Sequence, residues 1–364
     1  MSNLSCGIVG LPNVGKSTLF NALTSNQVEA ANYPFCTIEP NVGTVAVDDP
    51  RLKVLSEISH SSKIIYALIK FVDIAGLVAG ASKGEGLGNQ FLTNIRETDA
   101  IVHVVRCFES DDVVHVSGAV DPIRDIEVIN LELILSDLQM TENVISRLEK
   151  QVKTKKDLVP TYEFMVRARD HLNESRPIRT LALTEEETAM IKLYPFISAK
   201  KVLYVANVSE KDLPMMDNVY VQKVRAFAES EGNFMIPICA KLEEEIAQLP
   251  AEERAPFLES LGMNESGLQR MVKASFTMLG LATFLTTGEM ETRAWTITTK
   301  TTAAEAAGEI HSDIQRGFIR AEVIAYEDMV LCKGRGKARE MGKMRAEGRD
   351  YIVKDGDVIL FMHH

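Results

Sequence analysis

Gly10-Leu-Pro-Asn-Val-Gly-Lys-Ser17 is the stretch that decides the fold of this chain. It matches the pattern G-x-x-x-x-G-K-[ST], whose glycines let the backbone curl so that successive N–H groups converge on phosphate oxygens. Residues 5–9 read as a buried strand before it, and residues 17–23 open a helix whose N-terminus favours anions. The alternative is a glycine turn followed by an unrelated lysine, which would not require a strand before it and a helix after it. The stretch therefore predicts a nucleotide-binding loop.

The residues of the loop and a second motif predict a metal site. Lys16 supplies a positive charge for the terminal phosphates, and the Ser17 hydroxyl suits a Mg²⁺ shell. Asp73-Ile-Ala-Gly76 follows a predicted strand, so Asp73 can hold Mg²⁺ through water while Gly76 offers its N–H to a γ-phosphate. Thr37, between the two motifs, either completes the Mg²⁺ shell or is an ordinary loop residue.

Leu77 bears on the rate of hydrolysis. Ras-like and Gα-type GTPases carry a glutamine at this place, which orients the attacking water. Leucine cannot hydrogen-bond water, so either hydrolysis is slow or another residue positions the water. His115, in the polar stretch 111–118, is the candidate for that role, with a plain surface histidine as the alternative. His103 lies in an apolar run, which indicates a core histidine.

Asn207-Val-Ser-Glu210 bears on the choice of base. GTPases place N-K-x-D here, and its aspartate accepts hydrogen bonds from guanine N1–H and the 2-amino group. Glu210 is one methylene longer, and Val208 stands in the lysine place. Asn207 can still pair with purine N7 and the adenine amino group, as asparagine does in DNA readout. The motif therefore favours ATP.

Composition and charge exclude several classes of protein. The chain has 364 residues with 46% hydrophobic and 25% charged residues, enough for roughly two or three globular domains. No apolar run reaches the ~20 residues of a membrane helix. The five cysteines are scattered, which suits a reduced cytoplasmic protein and argues against a zinc or disulfide framework. A net charge of −11 argues against nucleic-acid binding by the whole surface.

The pattern of elements changes along the chain. Residues 1–130 alternate strands and helices, and a further apolar strand at 201–206 indicates that the sheet is left and re-entered. Residues 128–198 show helical periodicity interrupted at Pro160, which predicts an inserted antiparallel helical hairpin; outer helices of the α/β domain are the alternative. Strands around one helix after residue 279 predict a small α+β domain.

A basic run near the C-terminus is the exception in this acidic chain. It has no aromatic residue for base stacking, so it suits sequence-independent contact with structured RNA, or else is a solvated loop. Its members are Lys333, Arg335, Lys337, Arg339, Lys343 and Arg345.

With these motifs and Cys239-Ala-Lys241 in order, the chain resembles the YchF subfamily of Obg-like proteins over essentially its whole length. The resemblance implies an α/β fold: a TRAFAC-class P-loop NTPase domain (1–127 and 199–278), an inserted helical arm (128–198) and a C-terminal β-grasp (TGS) domain (279–364). It also implies hydrolysis of ATP in preference to GTP with Mg²⁺. Cys239 departs from the S-A-K of related proteins.

The resemblance also completes the predicted site. His115 resembles the loop histidine proposed to replace the missing glutamine, and Val208 the residue whose backbone meets the adenine. The predicted catalytic residues are Lys16, Gly76 and His115. The predicted metal ligands are Ser17, Thr37 and Asp73. The predicted nucleotide-binding residues are Asn13, Val14, Gly15, Lys16, Ser17, Thr18, Asn207, Val208 and Glu210.

The expected partners follow from the same resemblance. Ribosome binding, to the large subunit and the whole ribosome, is implied, with structured RNA met through Lys333, Arg335, Lys337 and Arg339. We expect a cytoplasmic monomer that does not bind membranes. Two alternatives stay open: a GTP-binding protein, and a non-catalytic module that binds RNA or protein in a nucleotide-dependent way.

Overall fold

The computed structural model describes residues 4–25, 41–75, 87–110 and 119–364. Its strands in these ranges form two six-stranded sheets, one for the N-terminal nucleotide region and one for the C-terminal region. The strands are β1 (Ser5–Val9), β2 (Val42–Ala46), β3 (Ile64–Ile65), β4 (Leu68–Asp73), β5 (Ala100–Arg106), β6 (Val202–Asn207), β7 (Phe234–Ile238), β8 (Leu281–Thr287), β9 (Thr292–Thr298), β10 (Phe318–Ala325), β11 (Arg345–Glu347) and β12 (Asp357–His363).

The helices of the described ranges cover these sheets or extend from them. They are α1 (Lys16–Ser25), α2 (Pro50–Ser59), α3 (Leu87–Arg96), α4 (Pro122–Gln151), α5 (Val159–Asn173), α6 (Glu185–Leu193), α7 (Val219–Ser230), α8 (Ala240–Gln248), α9 (Ala251–Ser260), α10 (Gly267–Met278), α11 (Ala303–Ile310), α12 (Ser312–Arg316), α13 (Tyr326–Cys332) and α14 (Arg335–Glu340).

The first sheet has the strand order β2-β4-β1-β5-β6-β7. Its strands are parallel except β2, which runs antiparallel to β4. The predicted return to the sheet is observed, because β6 pairs directly with β5 from Ile101↔Val202 to Arg106↔Asn207. The carboxyl ends of β1, β4, β5 and β6 therefore lie at one edge, where α/β sheets bind ligands.

The helical segment between β5 and β6 differs from its prediction in two details. α4 begins at Pro122 with Asp121 as its cap, so the predicted boundary at 128 falls inside a continuous helix. Pro160 does not break this helix, which ends at Gln151. It lies instead in the first turn of α5, where the missing N–H of proline costs nothing.

The two halves of α4 pack in different places. Ile126, Ile129 and Leu133 belong to the core around β5 and β6. Further along, Ile145 and Leu148 join a separate cluster with residues of α5 such as Met165. α4 therefore runs from the core of the nucleotide region into a second core that it shares with α5.

The C-terminal sheet has the order β11-β10-β12-β8-β9-β3, with β12 parallel to β8. α11 begins at a capping box formed by Thr302 and Glu305. The edge strand β3 comes from the N-terminal region and pairs with β9 through Ile64↔Thr292. One apolar cluster also joins the two regions, so the C-terminal sheet is docked on the nucleotide region and does not form an isolated unit.

Candidate nucleotide site

The predicted loop lies between β1 and α1 and has the backbone that the glycine pattern requires. Gly15 has φ +95°, and Asn13 has φ +63°. A Cβ on Gly10 would lie 2.8 Å from Cγ2 of Val14 and 3.0 Å from the carbonyl oxygen of Val104, so only glycine fits. The loop is thus compact and held against β5.

Asn207, at the end of β6, fastens the loop. Its Nδ2 donates to the carbonyl of Val14 (2.8 Å), and its Oδ1 accepts from the N–H of Ala240 (2.9 Å). The side chain is buried, and a Cβ on Gly15 would lie 2.1 Å from its Nδ2. One N–H and one lone pair of the amide remain after these bonds, so purine contact stays a prediction. The tethering role was not predicted.

Lys16 and Asp73 form an ion pair beside the loop. Lys16 begins α1 and Asp73 ends β4, so the pair joins the two motifs that the sequence places 57 residues apart. Ser17 is exposed at the start of the same helix. Its hydroxyl and the Asp73 carboxylate are hard oxygen donors, which suit Mg²⁺ held by a few protein groups and substrate phosphates.

A cavity of about 990 Å³ opens beside the loop. At its rim, Nζ of Lys241 lies 2.6 Å from Oε2 of Glu210. The N–H of Val208 is bonded to the carbonyl of Ile238 (2.8 Å), so the carbonyl is the polar group that its backbone can still offer a base. The lining residues are Asn13, Gly15, Thr18, Phe108, Glu109, Ser110, Asn207, Val208, Ser209, Glu210, Lys211, Ala240, Lys241 and Glu244.

Arg106, which sequence reasoning missed, lies next to this cavity. Its Nε donates to the carbonyl of Phe108 (3.1 Å), and its guanidinium carbon is 4.7 Å from the centroid of the Phe108 ring. The residue is 1% exposed, and within the described ranges its Nη1 has no hydrogen-bond partner. Burial lowers the pKa of Arg106, opposed by the charge of Asp125. An arginine at the end of an otherwise largely apolar strand was the available signal.

Several predicted residues fall outside the described ranges. These are Thr37, Gly76, Leu77 and His115. His103 is described and is a core histidine as predicted. It is 2% exposed, and its ring centroid lies 5.7 Å from that of Tyr204. Burial lowers the pKa of His103 to about 3, so it is neutral near pH 7.

The basic run is more neutralised than its sequence indicates. Arg335 and Arg339 both lie near the buried carboxylate of Glu322, at 3.7 and 3.2 Å. Lys343 pairs with Asp328, and Arg345 pairs with Glu347 and Asp357. In the part of the chain that is described, Lys333 and Lys337 are exposed and have no such partner. Tertiary structure also brings in an aromatic ring, since Arg345 lies over Tyr351 at 5.3 Å.

Two further observations concern the described residues as a whole. None of their helices combines the length and apolar character needed to cross a bilayer. No group of three or more His, Cys, Asp or Glu side chains among them could hold a metal ion by itself. A Mg²⁺ ion here would need substrate phosphates and water to complete its shell, as Mg²⁺ commonly does.

Family models match both regions. A model described as "50S ribosome-binding GTPase" matches residues 5–147. The YchF-GTPase_C model, described as "Protein of unknown function (DUF933)", matches residues 281–364. The first match covers β1 to β5, and the second covers β8 to β12.

Curated relatives match nearly the whole chain. The chain is 54% identical over 357 residues to the "Ribosome-binding ATPase YchF" of Haemophilus ducreyi, with 98% of each sequence covered. Proteins of the same name from Escherichia coli O157:H7 and Bacillus subtilis are 53% and 52% identical, again with 98% of each sequence covered. A solved structure, "Structure of the Schizosaccharomyces pombe YchF GTPase", matches with a TM-score of 0.90 at 35% identity, covering 99% of this chain and 98% of that one.

Proposed function

This chain belongs to the YchF family, and from that premise we propose that it is a ribosome-associated ATPase that acts as a slow molecular switch. Its N-terminal region is a P-loop domain of the GTPase superfamily. The observation that carries the choice of ATP is the Lys241–Glu210 ion pair at the rim of the cavity.

Phosphate binding is assigned to the loop from Asn13 to Thr18. Its N–H groups and the N-terminus of α1 favour the triphosphate, and Lys16 supplies a charge. Ser17, Asp73 and Thr37 would hold Mg²⁺, which supplies charge neutralisation on the β- and γ-phosphates when bound. Because Asp73 is paired with Lys16, the two side chains must part when the metal and phosphate bind.

Selection of adenine is supported by two groups in the cavity. Glu210 is engaged by Lys241, so its carboxylate is less available to the N1–H and 2-amino donors of guanine. The carbonyl of Val208 can accept a hydrogen bond, which suits the amino group of adenine and not the O6 acceptor of guanine. Asn207 keeps one N–H for a purine N7.

Slow turnover is supported by Leu77, which removes the usual water-positioning glutamine. We assign that role to His115 and the γ-phosphate contact to Gly76. A ribosome that brings His115 towards the γ-phosphate would then stimulate hydrolysis. The cytoplasm is the compartment in which such a protein would meet ribosomes, and we propose that it works there as a monomer.

The remaining regions are assigned to partner contact. We base the β-grasp (TGS) assignment of 279–364 on the C-terminal sheet, in which α11 packs on strands in the order β9-β8-β12-β10-β11. The part of α4 from residue 128 onward and α5, both within 128–198, are assigned as the arm. Lys333 and Lys337 are better placed for RNA phosphates than Arg335 and Arg339, which Glu322 engages.

Competitive binding of ATP and GTP, followed by single-turnover hydrolysis with and without ribosomes, tests the proposal. ATP should bind more tightly, and ribosomes should pellet the protein and raise the rate. Tighter GTP binding would favour a GTPase, as the fission-yeast relative is named. Binding without hydrolysis in either condition would favour a non-catalytic module.

A further inference from the structure

A second groove lies between the last turn of α3 and the middle of α4. Its volume is about 330 Å³, and it shares no lining residue with the nucleotide cavity. Arg96 comes from α3 and the other residues come from α4. The lining residues are Arg96, Ser136, Gln139, Met140, Asn143, Val144 and Arg147.

The groove is positively charged in a chain whose net charge is −11. None of its lining residues is acidic. Nη2 of Arg96 donates to Oγ of Ser136 (2.9 Å), and across residues 4–25, 41–75, 87–110 and 119–364 neither Arg96 nor Arg147 pairs with a carboxylate. Asp137, next to Ser136, is buried and accepts the N–H groups of Ile197 and Ser198. Two guanidinium groups therefore face solvent with unused donors.

The spacing along α4 gives the groove its length. Ser136, Gln139, Asn143 and Arg147 recur at helical intervals and form one stripe. At 1.5 Å per residue the stripe is about 16 Å long, with Arg96 at the Ser136 end and Arg147 at the other. Val144, which is 8% exposed, forms part of an apolar floor. Positive charges at both ends of such a stripe suit an extended polyanion better than a single small ion.

We propose that this Arg96–Arg147 groove binds the sugar–phosphate backbone of RNA; the proposal rests on the ribosome association proposed above. Each guanidinium offers a planar fork to a phosphate. Between them, the amides of Gln139 and Asn143 both donate and accept, which matches the 2′-hydroxyl groups between phosphates. An acidic peptide would present carboxylates, which only accept. The contact is therefore independent of base sequence.

The placement also connects RNA contact with the nucleotide switch. α3 is the next described element after Asp73-Ile-Ala, and Arg96 lies in its last turn. Its apolar face, with Phe91, Leu92 and Ile95, packs in the core that includes β5 and β6. RNA bound by Arg96 would therefore contact the helix that follows the D-x-x-G motif.

Binding of purified ribosomal RNA and co-sedimentation with ribosomes test the groove. The double variant Arg96→Gln/Arg147→Gln should bind both about tenfold more weakly. The slope of the logarithm of its binding constant against the logarithm of salt concentration should fall in magnitude by about 1.4 to 1.8, or about 0.7 to 0.9 for each lost phosphate contact. Arg147→Gln alone, which disturbs no internal hydrogen bond in the described structure, should lose about threefold. The matched control, Arg176→Gln/Arg316→Gln, removes two exposed arginines already paired with Glu174 and Asp313. It should bind like the unmodified chain.

The outcomes separate the groove from the proposed function. If the unmodified chain pellets with ribosomes and the groove variant binds ribosomal RNA within twofold of it, the groove proposal is overturned while the function stands. If the chain binds ribosomal RNA through the groove but does not pellet with ribosomes, the groove stands and the function fails. If poly-L-glutamate displaces the chain from ribosomes but ribosomal RNA does not, the ligand of the groove is an acidic protein and the groove proposal is overturned.

Discussion

Nζ of Lys241 lies 2.6 Å from Oε2 of Glu210, so the acidic residue at the guanine-reading position carries its own counter-ion. The hydrogen bond to Glu210 raises the pKa of Lys241, so the Lys241 ammonium is charged at neutral pH. Both side chains line the nucleotide cavity. The pair therefore connects the choice of base with α8, which carries Lys241.

Replacing Lys241 should weaken the discrimination against GTP. In Lys241→Met the Glu210 carboxylate is free to accept guanine donors, and we expect the GTP-to-ATP ratio of dissociation constants to fall about threefold, since the pair is solvent-exposed. Competition against a fluorescent nucleotide measures the ratio. Lys211→Met, at another lining position, is the control, and adding Glu210→Gln to Lys241→Met should restore the original ratio. A ratio unchanged in Lys241→Met would contradict the assignment.

Gly15→Ala should abolish nucleotide binding. The added methyl would meet Nδ2 of Asn207 at 2.1 Å, at a φ of +95° that alanine adopts only with strain. We expect the free energy of unfolding to fall by about 1 to 3 kcal/mol. Urea unfolding and nucleotide titration measure the two effects. Gly288→Ala, where a Cβ would meet nothing within 4 Å, should leave both unchanged; retained binding in Gly15→Ala would refute the tight Gly15–Asn207 approach.

Arg106→Met should separate affinity from stability. The variant loses the hydrogen bond to the Phe108 carbonyl and the cation–π contact with its ring. Because Phe108 lines the nucleotide cavity, we expect ATP to bind about fivefold more weakly. Burying an arginine whose Nη1 has no hydrogen-bond partner among the described residues is costly, so the free energy of unfolding should stay equal or rise by about 1 kcal/mol. Calorimetry and isothermal titration measure the two quantities. A fall in both together would show that Arg106 is simply structural.

Arg51 should prove important for docking of the C-terminal sheet. Its guanidinium is 2.8 Å from both Asp49 and Asp355 and 3.2 Å from the Thr283 hydroxyl. Arg51→Gln should lower the free energy of unfolding by about 1 to 2 kcal/mol and speed hydrogen exchange in β8. Arg225→Gln, which removes an exposed pair with Asp217, is the control. Equal exchange rates in the two variants would argue against this role.

Asp137 should make stability depend on pH. Burial raises the pKa of Asp137 to about 6, against hydrogen bonds from Ser198 and Ile197. Because the folded pKa lies above the unfolded value of 3.8, the contribution to stability is present below pH 4 and falls by about 3 kcal/mol as pH rises to 6. Urea unfolding should show the native chain losing stability relative to Asp137→Asn as the pH rises from 4 to 6, because the variant has no carboxyl group to titrate at this site. Asp170→Asn, at an exposed site, should show no such trend.

Much of the fold was predictable because periodic patterns report burial directly. β1 matches the strand predicted at residues 5–9, and β6 (Val202–Asn207) lies within one residue of the strand predicted at 201–206. Pro160 was misread, because a proline signals both the end of one helix and the first turn of the next. The phosphate loop was predictable because its glycines are required by the backbone conformation and close contacts of the loop itself.

The remaining features of the site depend on contacts between distant parts of the chain. The sequence by itself determined that this chain has a P-loop, a D-x-x-G motif and an altered base-recognition motif, because each is a short segment with its own backbone and chemical requirements. Only the tertiary structure decided that Asn207 ties the loop to α8, that Lys241 neutralises Glu210 and that Glu322 engages part of the basic run. Those pairings join residues far apart in sequence, and their geometry exists only once the sheets have assembled.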